Sequence, residues 1–279
     1  MKKILLGIGL STLLLLAACG TEDASSGDNS SDNKKTEEKK SKGVVALEDF
    51  DKMYSDPTAY KGHSVEFTGK IFAEPEKDSD GTYIQVFAKP ENSEQNIIVG
   101  IKDPDFKVQM DDYVKVNGIV KDTFEGENLM GGTIDAPVIE ADSIEVVDYI
   151  TAVSPTIKTI EVNQELEQHG YVVQVQKIEL AENQTRVYLK VLNNSDTPIS
   201  FYAHDAKLIV GNKQLEEEYL YETGLPEIQS DILAGVESEG VITYPAIDPN
   251  TKTIKFHAEG YSENYDITIE PFTFDITAE

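Results

Sequence analysis

The sequence predicts a mainly β protein, in which a short helix leads into a small closed five-stranded barrel and a β-sandwich follows. Three observations carry this expectation. Apolar residues alternate with polar ones in short runs, as at Val65, Phe67 and Ile71 or at Val187, Leu189 and Val191, which is the period of a half-buried strand. Turn-forming clusters such as Asp78-Ser79-Asp80-Gly81 and Asn193-Asn194-Ser195-Asp196 separate the runs. Gly69 and Gly118 interrupt two of the runs, as expected where a strand bends sharply to close a small barrel.

The chain opens with Lys2 and Lys3, continues through an apolar run from Ile4 to Leu16, and reaches Leu16-Ala17-Ala18-Cys19 before turning abruptly polar at Gly20, Thr21, Glu22 and Asp23. A basic start, a short apolar core and small residues before a cut describe a secretory signal peptide over residues 1–18. The apolar run is shorter than the ~20 residues a helix needs to span a bilayer. The tetrapeptide ending at Cys19 resembles the lipobox of bacterial lipoproteins. That resemblance implies cleavage between Ala18 and Cys19 and a diacylglycerol on the Cys19 sulfur. Two acyl chains anchor a protein stably where one does so marginally. A plain secretory signal with an incidental Cys19 is the competing reading. Cys19 is also the one cysteine in the chain, so no disulfide is expected in spite of export, and the exported domains must be stable through their cores.

Residues 19–43 are read as the lipidated cysteine and a tether. From residue 20 the stretch holds no aromatic and no β-branched aliphatic side chain, so it cannot bury enough apolar surface to offset the entropy of ordering it. As a flexible chain it would reach on the order of 25–30 Å, enough to lift the folded domains clear of lipid head groups. Two domains are then expected, 44–150 and 151–279, with the break near Tyr149–Ile160, where Ser154-Pro155 forces extended backbone.

In the first domain, Gly43 to Lys61 reads as a lead-in helix, since Val45, Leu47 or Phe50, Met53 and Tyr54 recur at helical spacing and Asp56-Pro57 closes it. Strands are expected at Val65–Ile71, Tyr83–Phe87, Ile97–Ile101, Val114–Val120 and Val138–Val147, the last of them bent. Tyr60-Lys61-Gly62, Val65-Glu66-Phe67-Thr68-Gly69-Lys70-Ile71, Asp112-Tyr113-Val114-Lys115-Val116-Asn117-Gly118 and Ile139-Glu140-Ala141-Asp142-Ser143-Ile144 together resemble the OB-fold family in its bacterial form related to anticodon-binding domains. The likeness spans about 90 residues and implies a five-stranded OB-type barrel. OB-folds commonly bind on strands two and three with two flanking loops. That points to Tyr83, Gln85 and Phe87, and to a loop from Phe124 through Asn128 to Gly132. The competing reading makes Tyr83 and Phe87 ordinary strand residues.

In the second domain about eight short strands are expected from Tyr171 onward, among them Val172–Val175, Val187–Val191, Lys207–Val210, Val241–Tyr244, Ile254–Phe256, Ile267–Ile269 and Phe272–Ile276. Val187-Tyr188-Leu189-Lys190-Val191-Leu192-Asn193-Asn194-Ser195, the stretch from Leu233 to Pro245, and Phe272-Thr273-Phe274-Asp275-Ile276 resemble an immunoglobulin-like bacterial domain of unknown function found in lipoproteins of Gram-positive bacteria. The resemblance implies an immunoglobulin-like β-sandwich in an extracytoplasmic setting and no known activity. A long insertion at 215–232 carries Tyr219 and Tyr221, which are candidate contacts for a sugar or a protein partner. The competing reading has the loop folding these rings onto its own sandwich.

Charge restricts the partners. The chain carries a net −27. Residues 44–150 hold 23 acids against 9 bases and residues 151–279 hold 22 against 8, a net of −14 in each, with Arg186 the sole arginine. Nucleic-acid binders draw most of their affinity from neutralised phosphates, so this surface argues against nucleic acid, and anionic head groups would repel it too. The anchor to the membrane would then be the lipid on Cys19 alone.

No catalytic set is discernible. His63, His169, His204 and His257 are scattered, without the converging ligands that zinc requires. Asp78, Asp80 and Gly81 look like the opening of a calcium loop but lack its later ligands, and a hairpin turn suits them better. Glu216-Glu217-Glu218 is a dense anionic run. No catalytic residue, metal ligand or cofactor is assigned. The expected function is that of a lipid-anchored, non-catalytic binding module on the extracytoplasmic face of the cell membrane, facing wall glycan or a surface protein. The alternatives are an enzyme accessory or unrecognised hydrolase, and an oligonucleotide-binding barrel.

Overall fold

The computed structural model describes residues 41–127, 133–221 and 223–278. The signal peptide, Cys19, most of the tether and Asn128 lie outside the described residues. The chain is already paired with the barrel ahead of residue 44, since the Lys42 N–H donates to the Gly62 carbonyl at 2.9 Å and Val44 bridges to Ser64.

The lead-in is broken into three short turns where one helix was expected. A 3-10 turn at Leu47–Asp49 runs into α1, Phe50–Ser55, and a second 3-10 turn covers Pro57–Tyr60. Pro57 cannot supply the N–H that would continue the helix. Asp56 caps the new turn by accepting from the Ala59 N–H at 3.2 Å. Met53 is the one fully buried side chain of α1 and joins the barrel core.

The barrel comprises β1 (Ser64–Ile71), the two-residue β2 (Glu76–Lys77), β3 (Thr82–Lys89), β4 (Glu94–Ile101), β5 (Tyr113–Glu127) and β6 (Thr133–Val147). Five of these close on themselves in the order β1-β5-β6-β4-β3, and β3 returns to β1 through Lys70↔Phe87 and Ile71↔Val86. The β4–β6 pair is parallel and the others are antiparallel. Alternation fills the inside with Val65, Phe67, Ile84, Val86, Ile97, Val99, Val114, Val116 and Ile139. Both interrupting glycines sit where strands crowd. A Cβ on Gly69 would overlap the Phe87 carbonyl, and one on Gly118 would come within 2.5 Å of the Glu140 carbonyl. The β5–β6 register shifts at Asn117/Gly118, as at a bulge that turns a barrel corner.

One expectation fails at the end of β5. Phe124–Glu127 is strand, paired residue by residue with Thr133–Ala136, where a loop beginning at Phe124 was expected. The cross-strand pairing of Phe124 with Ala136 extends the ladder beyond the barrel, and Gly126 is accommodated within it. The Asp78 turn is a hairpin, as expected: the Asp78 Oδ1 accepts the Asp80 and Gly81 N–H groups at 2.7 and 3.0 Å.

After β6, Asp148 caps α2 (Tyr149–Val153), accepting the Thr151 N–H at 2.7 Å. The C-terminal half then builds β7 (Thr156–Gln168), β8 (Tyr171–Ala181), β9 (Gln184–Asn193), β10 (Ile199–Phe201), β11 (Lys207–Val210), β12 (Lys213–Leu215), β13 (Asp231–Ile232), β14 (Glu237–Pro245), β15 (Thr253–Ala258), β16 (Gly260–Ser262) and β17 (Phe272–Thr277). Two four-stranded antiparallel sheets, β14-β9-β8-β7 and β12-β11-β15-β17, share one core with a small third sheet, β13-β10-β16. Its largest members are Tyr171, Phe201, Tyr244, Phe256, Phe272 and Phe274.

β7 is not among the expected strands, because its residues alternate weakly and most of its side chains are exposed. The strand expected at Ile267–Ile269 is instead a bend and irregular backbone. Here the Ile267 N–H closes a turn on the Asn264 carbonyl at 3.2 Å, so those groups are not offered to a ladder.

Candidate functional site

Two segments bring aromatic side chains from distant parts of the chain into one groove. In the barrel, Tyr83, Gln85 and Phe87 share the outer face of β3, while Ile84 and Val86 point inward. Phe72, just past β1, stacks on Phe87 with ring centres 3.8 Å apart and planes 14° apart. Phe72 is held there because its N–H donates to the Gln85 carbonyl at 3.1 Å. Tyr113 and Tyr149 meet edge to face at 5.7 Å.

The opposite wall comes from the segment after β12. It has no regular structure from residue 216 to 230 among its described residues, and three backbone contacts tack it to β14 and its neighbours. The Glu218 N–H donates to the Thr243 carbonyl, the Val241 N–H to the Pro226 carbonyl, and the Phe201 N–H to the Ser230 carbonyl, each at 2.8 Å. Tyr219 and Tyr221 project from it and pack edge to face at 4.8 Å and 83°. Tyr221 is 80% exposed and Tyr219 51%. The Tyr219 hydroxyl donates to Glu227 at 2.9 Å, and this hydrogen bond pushes its pKa above the ordinary value.

Between these walls lies a cavity of about 430 Å³, lined by Phe72, Phe87, Tyr113, Tyr149, Tyr219 and Tyr221 together with Lys70, Glu91 and Asp111. Lys70 is paired with Asp111 at 3.1 Å and stands 5.8 Å above the Tyr113 ring. The lining is therefore aromatic, with charges of both signs and no basic track.

The candidate residues of the two domains are regrouped by the fold. Phe87, Tyr219 and Tyr221 meet in the groove. Tyr83 lines a smaller cavity of about 200 Å³ with Gly100, Lys102, Lys121 and Glu140. Burial, with Asp78 and Asp80 adding to it, holds the Tyr83 hydroxyl above its ordinary pKa. Gln85 lies between the two on the strand. Phe124 is exposed on the extended hairpin, its ring lying where a Cβ on Gly126 would be. Sequence reasoning missed Phe72, Tyr113 and Tyr149. For Tyr149 a signal existed, since Asp148 three residues ahead of Thr151 is a cap pattern, so a helix there was readable.

The connector that sets the two walls is held by the chain's sole arginine. Arg186 is fully buried. Its Nη1 donates to the Ser154 carbonyl and hydroxyl at 2.9 Å, its Nη2 to the Thr156 hydroxyl at 2.7 Å, and its Nε to Glu179 at 3.2 Å. Glu179 also accepts from Lys177 at 2.5 Å and Tyr188 at 2.9 Å. On the barrel side, α2 is tied by the Thr68 hydroxyl to the Ala152 carbonyl at 2.7 Å. Burial pushes the Glu179 carboxyl up, but the bonds from Lys177, Tyr188 and Arg186 outweigh it and leave the group below its ordinary pKa of 4.5. A depressed carboxylate contributes stability that is present above its unfolded-state pKa and lost as pH falls through the folded-state value. Thermal melts taken from about pH 6 to about pH 3 should therefore fall in midpoint below about pH 4.5. Glu179→Gln should be less stable at the upper end and show a shallower fall.

Among the described residues no group of three or more His, Cys, Asp or Glu converges as a metal site, and no helix is long and apolar enough to cross a membrane. No protein-family model matches this chain, and no curated protein does. Among solved structures it is similar to a functionally unknown protein from Listeria monocytogenes EGD-e. The two are 10% identical over 47% of this chain and 92% of that chain, at a TM-score of 0.36.

Proposed function

We propose that this protein is an extracytoplasmic lipoprotein, cut between Ala18 and Cys19 and anchored through Cys19, that presents a non-catalytic binding module at the cell surface or in the wall. The single observation that carries the binding reading is the junction groove. Phe87 of the barrel and Tyr219 and Tyr221 of the C-terminal half face one cavity, and ligand sites favour such junctions, with largely apolar walls and a few polar groups. The acidity of both halves sets this ligand apart from a polyanion.

The barrel order β1-β5-β6-β4-β3, with its single parallel pair, supports the OB-type assignment. The two four-stranded sheets around one core support the immunoglobulin-like one. An OB-type barrel that bound oligonucleotides would want stacking rings beside a basic groove. Here Glu91 and Asp111 stand beside the rings, and the lysine among them is paired.

The test has two arms. In a Gram-positive host fed labelled fatty acid, the full chain should carry label and sediment with membranes. Cys19→Ser should lose the label. Persistent sedimentation of an unlabelled, uncut Cys19→Ser chain would sink the anchor. In the second arm the full chain in non-ionic detergent is mixed with insoluble wall glycan. Retention should drop about tenfold in Phe87→Ala, the loss expected for one buried stacking contact of ~1–1.5 kcal/mol. Retention unchanged in that variant would remove the groove from the reading.

A further inference from the structure

A second cavity, of about 600 Å³, shares Tyr219, Leu220, Tyr221 and Thr223 with the junction groove, and its remaining lining comes from the C-terminal half alone. It falls within the ~300–1,000 Å³ range of small-ligand sites. Tyr202, His204, Glu217, Tyr219, Tyr221 and Glu227 line it. Glu227 is engaged by the Tyr219 hydroxyl at 2.9 Å. Glu217 has no hydrogen-bond donor among the described residues, although its neighbours are bonded: Glu216 to Lys207, and the Glu218 backbone to Thr243. Desolvation, with Glu227 adding to it and His204 opposing, holds the Glu217 carboxyl above its ordinary pKa. The fully buried Tyr244 hydroxyl has no hydrogen-bond partner among the described residues and feels the charge of Glu217 and Glu216. A carboxylate that gives up water without a donor in return is destabilised, and a ligand ammonium would restore it with a charge-assisted hydrogen bond.

We propose that this cavity binds an ammonium group carried on a sugar ring, as in an oligomer of unacetylated amino sugar, with Glu217 as its main partner. The edge-to-face Tyr219–Tyr221 pair offers an exposed ring to the apolar face of a sugar. His204, Ser230 and Thr243 lie along the same walls for its hydroxyls. A net charge of −27 draws cations in. A basic peptide fits less well. Peptides recruited by strand addition need an unpaired strand edge, and at this end of β14 the segment already occupies it through Glu218–Thr243 and Pro226–Val241. The inference rests on the reading of this chain as a binding module but uses a different cavity from the junction groove.

The experiment is calorimetric titration of the full chain in non-ionic detergent, at about 0.15 M salt, with three probes: glucosamine tetramer, its fully N-acetylated counterpart and tetralysine. Saturable binding of the glucosamine tetramer is expected, at least about tenfold tighter than either other probe. Glu217→Gln should weaken it about tenfold or more without lowering the melting temperature, because that change removes a desolvated charge. Tyr265→Ala, at a residue 96% exposed and outside the cavity, and Phe87→Ala should leave it unchanged. Equal or tighter binding of tetralysine would overturn the sugar assignment, and equal binding of the acetylated tetramer would overturn the ammonium. No saturable binding, or no effect of Glu217→Gln, would overturn the site. Loss in Phe87→Ala alone would move binding to the junction groove, leaving the proposed function standing and this inference refuted.

Discussion

Replacing Arg186 with methionine is expected to destabilise the C-terminal half by about 3–5 kcal/mol, the cost of breaking a buried ion pair from one side. Methionine approximates the volume but supplies none of the donors to Ser154, Thr156 and Glu179. The Ser154 carbonyl and the Glu179 carboxylate would then stay buried without that partner. Lys177 and Tyr188 still reach Glu179, so the loss should fall toward the lower end of the range. Urea melts of wild type and Arg186→Met would measure it. A double variant, Arg186→Met with Glu179→Leu, should recover much of the deficit, since removing both charges together avoids the stranded carboxylate. A deficit below about 1 kcal/mol in the single variant would mean that the network contributes packing only. Because Ser154 joins α2 to β7, amide exchange should also rise in residues 149–156 before the sheets open.

Placing alanine at Gly69 is expected to cost about 3 kcal/mol, the upper part of the range for overpacking. The obstruction is the Phe87 carbonyl, a backbone atom in the β1–β3 closure, with a Val86 methyl beside it. A flexible side chain could move aside, but a carbonyl in a paired strand cannot without opening the seam. The variant should lower the barrel's midpoint in urea and leave the C-terminal half as it was, because the two halves bury separate cores. Gly211→Ala is the contrast. A Cβ there meets nothing within 4 Å, and its φ of 61° makes the cost conformational, of order 1 kcal/mol. A Gly69→Ala chain as stable as wild type would show that the seam is not closed in the way these contacts imply.

The parts of this protein that were legible in its sequence are those where one side chain's neighbours follow from its own strand. Val65 and Phe67, or Leu189 and Val191, bury the same face because alternate residues of a strand do so whatever lies opposite. Gly69 and Gly118 were readable for a related reason: a glycine interrupting such a pattern signals close approach before its partner is known. Other features depended on partners remote in sequence. Nothing near Phe124 reveals that it continues a ladder opposite Ala136, and β7 has no strong alternation because its exposed residues are held chiefly by pairing with β8.

The candidate sites lie at the far end of that scale. Phe87 and Tyr221 were readable as aromatic candidates on separate elements, but that they face one groove follows from barrel closure, from α2 and from the Arg186 clamp on Ser154. Glu217 was visible only as one of three adjacent acids. What distinguishes it is that its side chain lines a cavity, which those of Glu216 and Glu218 do not. Composition and pattern therefore determined a mainly β, acidic chain with two candidate aromatic surfaces. Tertiary structure alone decided that Phe87 of the barrel and Tyr219 and Tyr221 of the C-terminal half line one groove, because that property belongs to residues separated by scores of positions along the chain.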